Sequence, residues 1–416
     1  MSLVIYRLFI FFYTGAIRLA SLWNPKARLW VRGRRHRKGW PPKGTGPTVW
    51  MHCASLGEFE QGLPVLEAIK KQYPSYRVVV SFFSPSGYEV KKGYGGADYI
   101  TYLPVDNQRN AADFIEAVNP ALVIWVKYDY WFHFLTELKR RNVPVLLVSA
   151  IFRPKQPFFK WYGQVWRQML ECFSALFVQT NASQALLATL GLGDKVMVNG
   201  DTRFDRVLAI AQQFEPIPAI EAFCGDSTVI VAGSTWEEDE AELVHYTTAH
   251  PEIRFIIAPH EVDPANLEDV KKLFAGSVYY SELLEGKVPE PGRSGVLIID
   301  NVGMLSRLYR YAHITYVGGG FGKDGVHNML EAAVYGKPIV IGPEYEKYAE
   351  AVDLVACGGA ISIDNALELE KTLDTLLGSD TALDTAAKAA HDYVQAHTGA
   401  TQNVVRYIQE KRLLIS

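Results

Sequence analysis

Residues Tyr316 to Pro343 read YVGGGFGKDGVHNMLEAAVYGKPIVIGP, and this stretch decides how the rest of the chain is read. Ile314 to Val317 is a short, β-rich apolar run of the kind that forms a buried strand. Gly318, Gly319 and Gly320 follow at once, then Gly322 and Gly325, so a loop nearly without side-chain bulk leaves the strand's carboxyl end. From His327 the period becomes helical: Met329, Leu330, Ala333 and Val334 form an apolar stripe that stops at Gly336-Lys337-Pro338. Strand, glycine loop and helix start together offer unpaired N–H groups and a positive dipole end, which suits a phosphate. His327, Asn328 and Glu331 fall in or beside the first helical turn, where a carboxylate can accept hydrogen bonds from a ribose diol. A glycine-rich turn in any doubly wound sheet, with Glu331 complementing a helix dipole, accounts for the same residues without a ligand. The spacing is not GxGxxG after a first strand, and no P-loop sequence occurs, which disfavours dinucleotide and P-loop sites.

Outward from this stretch the chain alternates strand and helix. Apolar runs at Thr48–His52, Arg77–Ser81, Tyr99–Leu103, Leu122–Val126, Val145–Ser149, Ala175–Gln179 and Val196–Val198 form a first series of strands. A second series follows the proline-containing stretch Glu215–Ala219: Thr228–Ala232, Phe255–Ala258, Val278–Tyr280, Val296–Ile299, Ile314–Val317, Ile339–Ile341 and Ala360–Ile363. Helical segments such as Leu63–Tyr73 and Ala111–Val118 lie between them, a βαβ rhythm that predicts parallel sheets covered on both faces. The expectation is α/β, with two Rossmann-like domains of nearly equal size and a cleft between them. The predicted domains are residues 41–210 and 220–400, preceded by a basic, aromatic segment at 1–40. A last helix within 401–416 reaches back to the first domain.

The chain has 416 residues and a net charge of only −3, but the charge is unevenly placed. No acidic residue precedes Glu58, while ten Lys and Arg do. Leu3 to Leu22 is apolar and aromatic but is interrupted by Arg7 and Arg18, which makes it marginal as a membrane span and better suited to lie in the bilayer surface. Lys26, Arg28, Arg32, Arg34, Arg35, Arg37 and Lys38 follow, with Trp23, Trp30 and Trp40 among them, a composition that fits an anionic membrane surface. A signal peptide and a nucleic-acid-binding arm fit less well: no small-residue cleavage site is present, and nothing downstream supports nucleic-acid binding. Cys53, Cys172, Cys224 and Cys357 are scattered without a CxxC pair, so they read as reduced, buried thiols rather than a disulfide frame or a zinc site. No DxD sequence or metal-ligand spacing is found, so no metal or other cofactor is expected.

The first strand runs into Met51-His52-Cys53-Ala54-Ser55-Leu56-Gly57-Glu58. Ser55 and Glu58 have the spacing of a helix capping box. The same position, at the carboxyl edge of a first strand, is where a base would stand to deprotonate a hydroxyl acceptor. Spacing alone does not separate the two.

Together these pieces resemble a known family. HCASLGE (His52–Glu58), GDTRFD (Gly200–Asp205), AGSTWEEDE (Ala232–Glu240), IAPHE (Ile257–Glu261), DNVGML (Asp300–Leu305) and the glycine stretch look like the ordered motifs of the 3-deoxy-D-manno-oct-2-ulosonic acid (Kdo) transferases. The resemblance implies a metal-independent, inverting GT-B glycosyltransferase at the cytoplasmic face of the inner membrane. It would move Kdo from CMP-Kdo to the 6′-hydroxyl of a lipid A precursor. By the same resemblance, the proton acceptor falls on Glu58 and the cation credited with stabilising the transition state on Arg203. The CMP contacts fall on Pro259 and His260, on Val302, Gly303 and Met304, and on Asn328, Met329, Leu330 and Glu331, beside Gly318, Gly319, Gly320 and His327 of the phosphate site read above from the glycine stretch. Three places depart from the family pattern: Pro259-His260 for Pro-Arg, Val302-Gly303-Met304 for Met-Gly-Glu, and Lys127-Tyr128-Asp129-Tyr130-Trp131 for Glu-Thr-Glu-Leu-Trp. Lys127 thus stands where relatives carry a catalytic carboxylate, and Asp129 is a candidate to supply the missing charge. A GT-B enzyme acting on a UDP-sugar, either a transferase or a 2-epimerase, is the alternative.

Overall fold

The computed structural model describes residues 3–35, 39–43, 46–289 and 295–415. Arg37 and Lys38 of the basic run lie outside the described residues. The chain divides into two compact units, Met1–Arg206 with Thr398–Ser416, and Val207–His397.

The first unit is built on seven strands: β1 (Thr48–Cys53), β2 (Arg77–Phe82), β3 (Tyr99–Tyr102), β4 (Pro120–Val126), β5 (Val145–Ala150), β6 (Ala175–Val178) and β7 (Val196–Val198). They lie in the order β3-β2-β1-β4-β5-β6-β7 and pair in parallel, with Thr48 opposite Arg77 and Val49 opposite Leu122. Alternate residues of each strand feed two cores. Trp50, Val123, Trp125, Val145 and Leu147 pack on one face with Phe114 and Phe134. Val49, Met51, Leu122, Ile124 and Val126 pack on the other with Phe59, Leu63 and Leu66, and with Val404, Ile408 and Leu414 from the chain's end. Burial on both faces is why these strands read as unbroken apolar runs. The helix Ala400–Glu410 returns the last residues to this unit and lies against the helix Leu56–Gln72.

The second unit has β8 (Val229–Thr235), β9 (Arg254–Pro259), β10 (Val278–Tyr279), β11 (Val296–Ile298), β12 (Ile314–Val317), β13 (Ile339–Ile341) and β14 (Ala360–Ser362). Their order is β10-β11-β9-β8-β12-β13-β14, again all parallel where paired, with Val317 opposite Gly233. All fourteen strands expected from the sequence are present.

The strand order reverses between β1 and β4 in the first sheet and between β8 and β12 in the second, where β11 is also inserted between β10 and β9. At such a point the loops from adjacent strands diverge to opposite faces and leave a crevice at the carboxyl ends, the usual place for a ligand in open α/β sheets.

The amino-terminal helix, Leu3–Ala20, packs on the first unit through Tyr6, Ile10 and Thr14. Tyr6 Oη donates to Asp106 Oδ2 at 2.6 Å, and Asp106 also accepts from the backbone N–H groups of His133 and Phe134. The helix is long and apolar enough to cross a membrane by length and composition. Its outer face leaves Val4, Ile5, Leu8, Phe9, Phe11 and Phe12 exposed. Three cysteines are buried as expected, but Cys357 is exposed: it ends the helix Ala349–Ala356 on the unit's surface.

Candidate active site

In the first unit the candidate residues gather at the reversal point of the sheet. Glu58 stands in the first turn of the helix that leaves β1, half-buried. Ser55 occupies the N-cap position, yet its hydroxyl donates to the Glu58 carboxylate and caps no backbone N–H. The capping-box alternative is therefore not what the side chains form. Ser55 instead fixes the rotamer of Glu58 at the edge of the sheet.

Lys127 leaves the adjacent strand, β4, with φ +64°, a left-handed conformation that costs a non-glycine residue about 1 kcal/mol. The neighbouring groups hold it there. Its N–H donates to Val148 O, Tyr130 Oη donates to its carbonyl, and Trp125 Nε1 donates to Asp129 O across the turn. The Lys127 ammonium lies 5.0 Å from the centre of the Tyr128 ring. Asp129 points elsewhere: its Oδ2 accepts from Trp131 Nε1 and faces the buried His52 Nε2 at 3.5 Å. It belongs to the packing under the loop.

Arg203 pairs with Asp201, whose Oδ1 accepts the Arg203 N–H and whose Oδ2 accepts Nε, both at 2.9 Å. Gln61 and Gln179 also donate to this buried carboxylate. The acid that holds the arginine thus comes from within GDTRFD itself, two residues upstream. The sequence reading placed that question on Lys127 and Asp129 and missed Asp201. Its only signal was an acid at i−2 from a functional arginine, which is common in any loop. Burial raises the Tyr128 phenol, Arg153 and Arg203 oppose the shift, and Asp201 and Glu58 add to it. That pattern places Tyr128 in one electrostatic neighbourhood with the acid and both arginines.

In the second unit the glycine stretch leaves β12, beside the loop from β8. Gly318 is there because of close approach: a Cβ would lie 2.4 Å from Ser234 O and 2.8 Å from Asp239 Oδ2. Gly319 has φ +91° and donates its N–H to Asp239 Oδ2 at 2.8 Å. Asp239 is fully buried and also accepts from Trp236 N–H and Tyr316 Oη. Burial raises its carboxyl, and the two backbone donors and Tyr316 pull the other way. One carboxylate therefore ties β12, the glycine loop and the start of the helix Glu237–Ala249 together. In the sequence Asp239 looked like one more acid in a helix-start run, WEEDE, where dipole compensation is explanation enough.

The helix expected from His327 onward is a correction. Only Leu330–Ala333 is helical, because His327 N–H is drawn back to Gly318 O and Asn328 Oδ1 takes the Leu330 N–H. The stretch 326–329 is a loop, and a single helical turn offers little dipole. Met329 and Leu330 turn their side chains into the core, so only their main chain can face a ligand. Asn328 Nδ2 donates to Glu331 Oε1 at 2.9 Å, which orients both side chains.

His260 follows Pro259 at the end of β9. It stacks against His327 at 4.3 Å between centroids and against Trp236 at 4.6 Å. Trp236 Nε1 donates to His327 Nε2 at 2.9 Å. Indole only donates, so His327 Nε2 carries a lone pair and its proton sits on Nδ1. Trp236 did not stand out in the sequence. Val302 is exposed, Gly303 turns with φ +93°, and Met304 is buried at the start of a helical turn. That turn supplies Leu305 and, just beyond it, Tyr309, the side chains that crowd Gly233 at the end of β8.

Burial, and then His260, lower the His327 imidazole to about 4. Its folded value lies below its unfolded one, so the linked stability is complete above about pH 6.5 and is lost as pH falls towards 4. Denaturant titrations from pH 7 to 4 are expected to show this slope in the wild type. His327→Phe, which keeps a ring in the stack, should flatten it.

Two parallel sheets of this order are those of the GT-B fold. The fold is similar to that of a UDP-N-acetylglucosamine 2-epimerase from Listeria monocytogenes described as putative, with a TM-score of 0.59 at 15% identity over 88% of this chain and 97% of that one. Residues 30–206 match the family model described as 3-deoxy-D-manno-octulosonic-acid transferase (kdotransferase). A 3-deoxy-D-manno-octulosonic acid transferase of Haemophilus influenzae is 25% identical over 88% of this chain and 86% of its own. One of Bordetella pertussis is 25% identical over 96% and 98%. The chain therefore resembles the Kdo transferases over nearly its whole length.

Proposed function

We propose that the protein is a glycosyltransferase that moves Kdo from CMP-Kdo to the 6′-hydroxyl of a tetraacylated lipid A precursor, with inversion and without a metal. The observation that carries this reading is the Ser55–Glu58 pair at the reversal point of the first sheet, close in charge to Arg203 and Tyr128. Glu58 accepts the proton of the 6′-hydroxyl as that oxygen attacks the anomeric carbon of Kdo. The bond from that carbon to the phosphate oxygen breaks, and CMP leaves with the electron pair. Arg203, held by Asp201, and Lys127 supply positive charge for the donor carboxylate and the departing phosphate.

CMP is assigned to the second unit. Asn328 and Glu331 suit the ribose hydroxyls. The Gly318–Gly320 backbone, His327 Nδ1–H and His260 suit the single phosphate. Pro259, Val302, Gly303, Met304, Met329 and Leu330 complete the contacts, the last two through main chain. A phosphodiester leaves with less charge to neutralise than a diphosphate would, which these donors can meet unaided.

The amino-terminal helix, with its outward apolar face, fits attachment at the cytoplasmic surface of the inner membrane, where the acyl chains of the acceptor would stay. The test is incubation with CMP-Kdo, generated in situ, and a tetraacyl lipid A precursor, followed by mass analysis. A product heavier by one or more Kdo units is expected, and unreacted precursor would overturn the reading. Thermal stabilisation by CMP but not UDP is expected in parallel, and the reverse would favour a UDP-sugar enzyme.

A further inference from the structure

His52 lies near the end of β1, and the site described above uses it only as a neighbour of Asp129. It is wholly buried, with its ring 4.5 Å from that of Trp125 and 6.4 Å from that of Trp50. In register it stands between Ser81 of β2 and Trp125 of β4, beside the point where the strand order of the first sheet reverses. Packing alone would account for a histidine there, as one more core ring between two tryptophans. The order of its hydrogen-bond donors says more.

Trp50 Nε1 donates to Ser81 Oγ at 2.8 Å, since indole has a donor and no acceptor. Ser81 Oγ also lies 2.9 Å from His52 Nδ1, and among the described residues it has no third partner. The Ser81 proton therefore goes to Nδ1, which leaves the ring proton of His52 on Nε2. Nε2 is buried, makes no hydrogen bond among the described residues, and faces Asp129 Oδ2 at 3.5 Å. A buried N–H left without an acceptor is costly, and the acceptor before it is that carboxylate. The terminal torsion of an aspartate is soft, so a small rotation of Asp129 closes the gap.

Asp129 in turn braces the turn that carries Lys127. Its Oδ2 accepts from Trp131 Nε1 at 3.3 Å, and its carbonyl accepts from Trp125 Nε1. Trp131 packs on Phe83, just beyond the end of β2, with 4.6 Å between ring centres. Lys127 has φ +64°, and a non-glycine residue keeps such a conformation only where its surroundings over-determine it.

We propose that His52 is a positioning residue for the transfer reaction. The row of Trp50, Ser81 and His52 presents a fixed Nε2–H to Asp129, and through Asp129 it holds the turn 127–131 and the Lys127 ammonium in place. Asp129 then serves as the brace of that cation and not as a stand-in for a catalytic carboxylate. Packing would be served by either tautomer of the ring, whereas this role requires one. The consequence for rate rests on the Kdo-transfer reading above; the order of donors does not.

The experiment uses the full chain, labelled with nitrogen-15 histidine, and reads the state of the His52 ring from its two nitrogen shifts at neutral pH. The Nε2–H tautomer is expected, and any other state, Nδ1–H or doubly protonated, would overturn the proposal. Two variants then separate positioning from packing. His52→Leu fills the space without a donor, and His52→Gln offers an amide N–H close to where Nε2 stood. Transfer is expected to fall about 30-fold in His52→Leu, the cost of a misplaced catalytic group, and to stay within about threefold of the wild type in His52→Gln. Hydrogen exchange in the peptide spanning 127–131 should quicken in the leucine variant and not in the glutamine one. CMP affinity should be unchanged in both, because those contacts are assigned to the other unit. Equal losses in the two variants, or none in either, would overturn the proposal. The Asp129 side chain is 21% exposed, so Asp129→Ala, with the same two effects expected, serves if His52→Leu fails to fold. A wild type that transfers no Kdo would sink the transferase reading, while the tautomer and exchange measurements still decide the contact between His52 and Asp129.

Discussion

Glu58→Gln is expected to lower the rate of Kdo transfer by about 10²–10⁴-fold, the usual contribution of a positioned general base. The amide keeps the size of the side chain and can still accept from Ser55 Oγ–H, so the helix that leaves β1 should stay in place. It cannot take the proton of an attacking hydroxyl. CMP affinity is expected to change by less than about twofold, because the nucleotide contacts are assigned to the other unit. Single-turnover assays with saturating donor separate the two effects. Turnover within tenfold of the wild type would remove Glu58 as the base. Ser55→Ala is the milder companion: it frees the carboxylate to rotate, which should slow transfer while Glu58 itself remains.

Asp239→Ala is expected to cost the second unit about 3–5 kcal/mol, because three buried donors lose their acceptor at once. These are the N–H groups of Trp236 and Gly319 and the hydroxyl of Tyr316, at 2.9, 2.8 and 2.8 Å. For a unit of this size that is a fall in melting temperature on the order of 10 °C. CMP binding should fall with it, even though Asp239 is too buried to touch a ligand, because Gly319 and Trp236 would no longer be held. Asp239→Asn retains one carbonyl oxygen and can serve some but not all of the donors, so an intermediate loss is expected. Calorimetry with and without CMP reads both effects. An unaltered transition in the alanine variant would show that the three donors find other partners.

The strands were legible in the sequence because each lies in a parallel sheet buried on both faces, where nearly every position must be apolar. Thr48–Cys53 and Ile314–Val317 are the clearest cases. The helix after the glycine stretch was not legible, because the stripe Met329, Leu330, Ala333 and Val334 suits a loop that dives into the core as well as a helix. What shortens the helix is a long-range bond, His327 N–H to Gly318 O, invisible to any local period. Asp201 and Asp239 were missed for a related reason. Each looks like an ordinary acid in a polar run, and its importance comes from partners such as Gln61 and Tyr316, 140 and 77 residues away in the chain. Trp236 could have been found only by knowing that the ends of β8, β9 and β12 bring it beside His260 and His327. The motif resemblance named the stretches that matter but not the side chains that hold them in shape.

The carboxylate of Asp205 accepts from the N–H groups of Gly399 and Thr401, and Asn199 donates to Ala400 O. The outgoing and returning strands of the polypeptide are thereby stapled where they part company and rejoin. A recombinant fragment ending at Arg206 would carry the entire first sheet yet lack its closing panel, leaving the apolar seats of Val404 and Ile408 open to water. Anyone dissecting this protein into halves should therefore stitch residues 398–416 back on, since the first unit is assembled from two stretches of sequence that lie far apart.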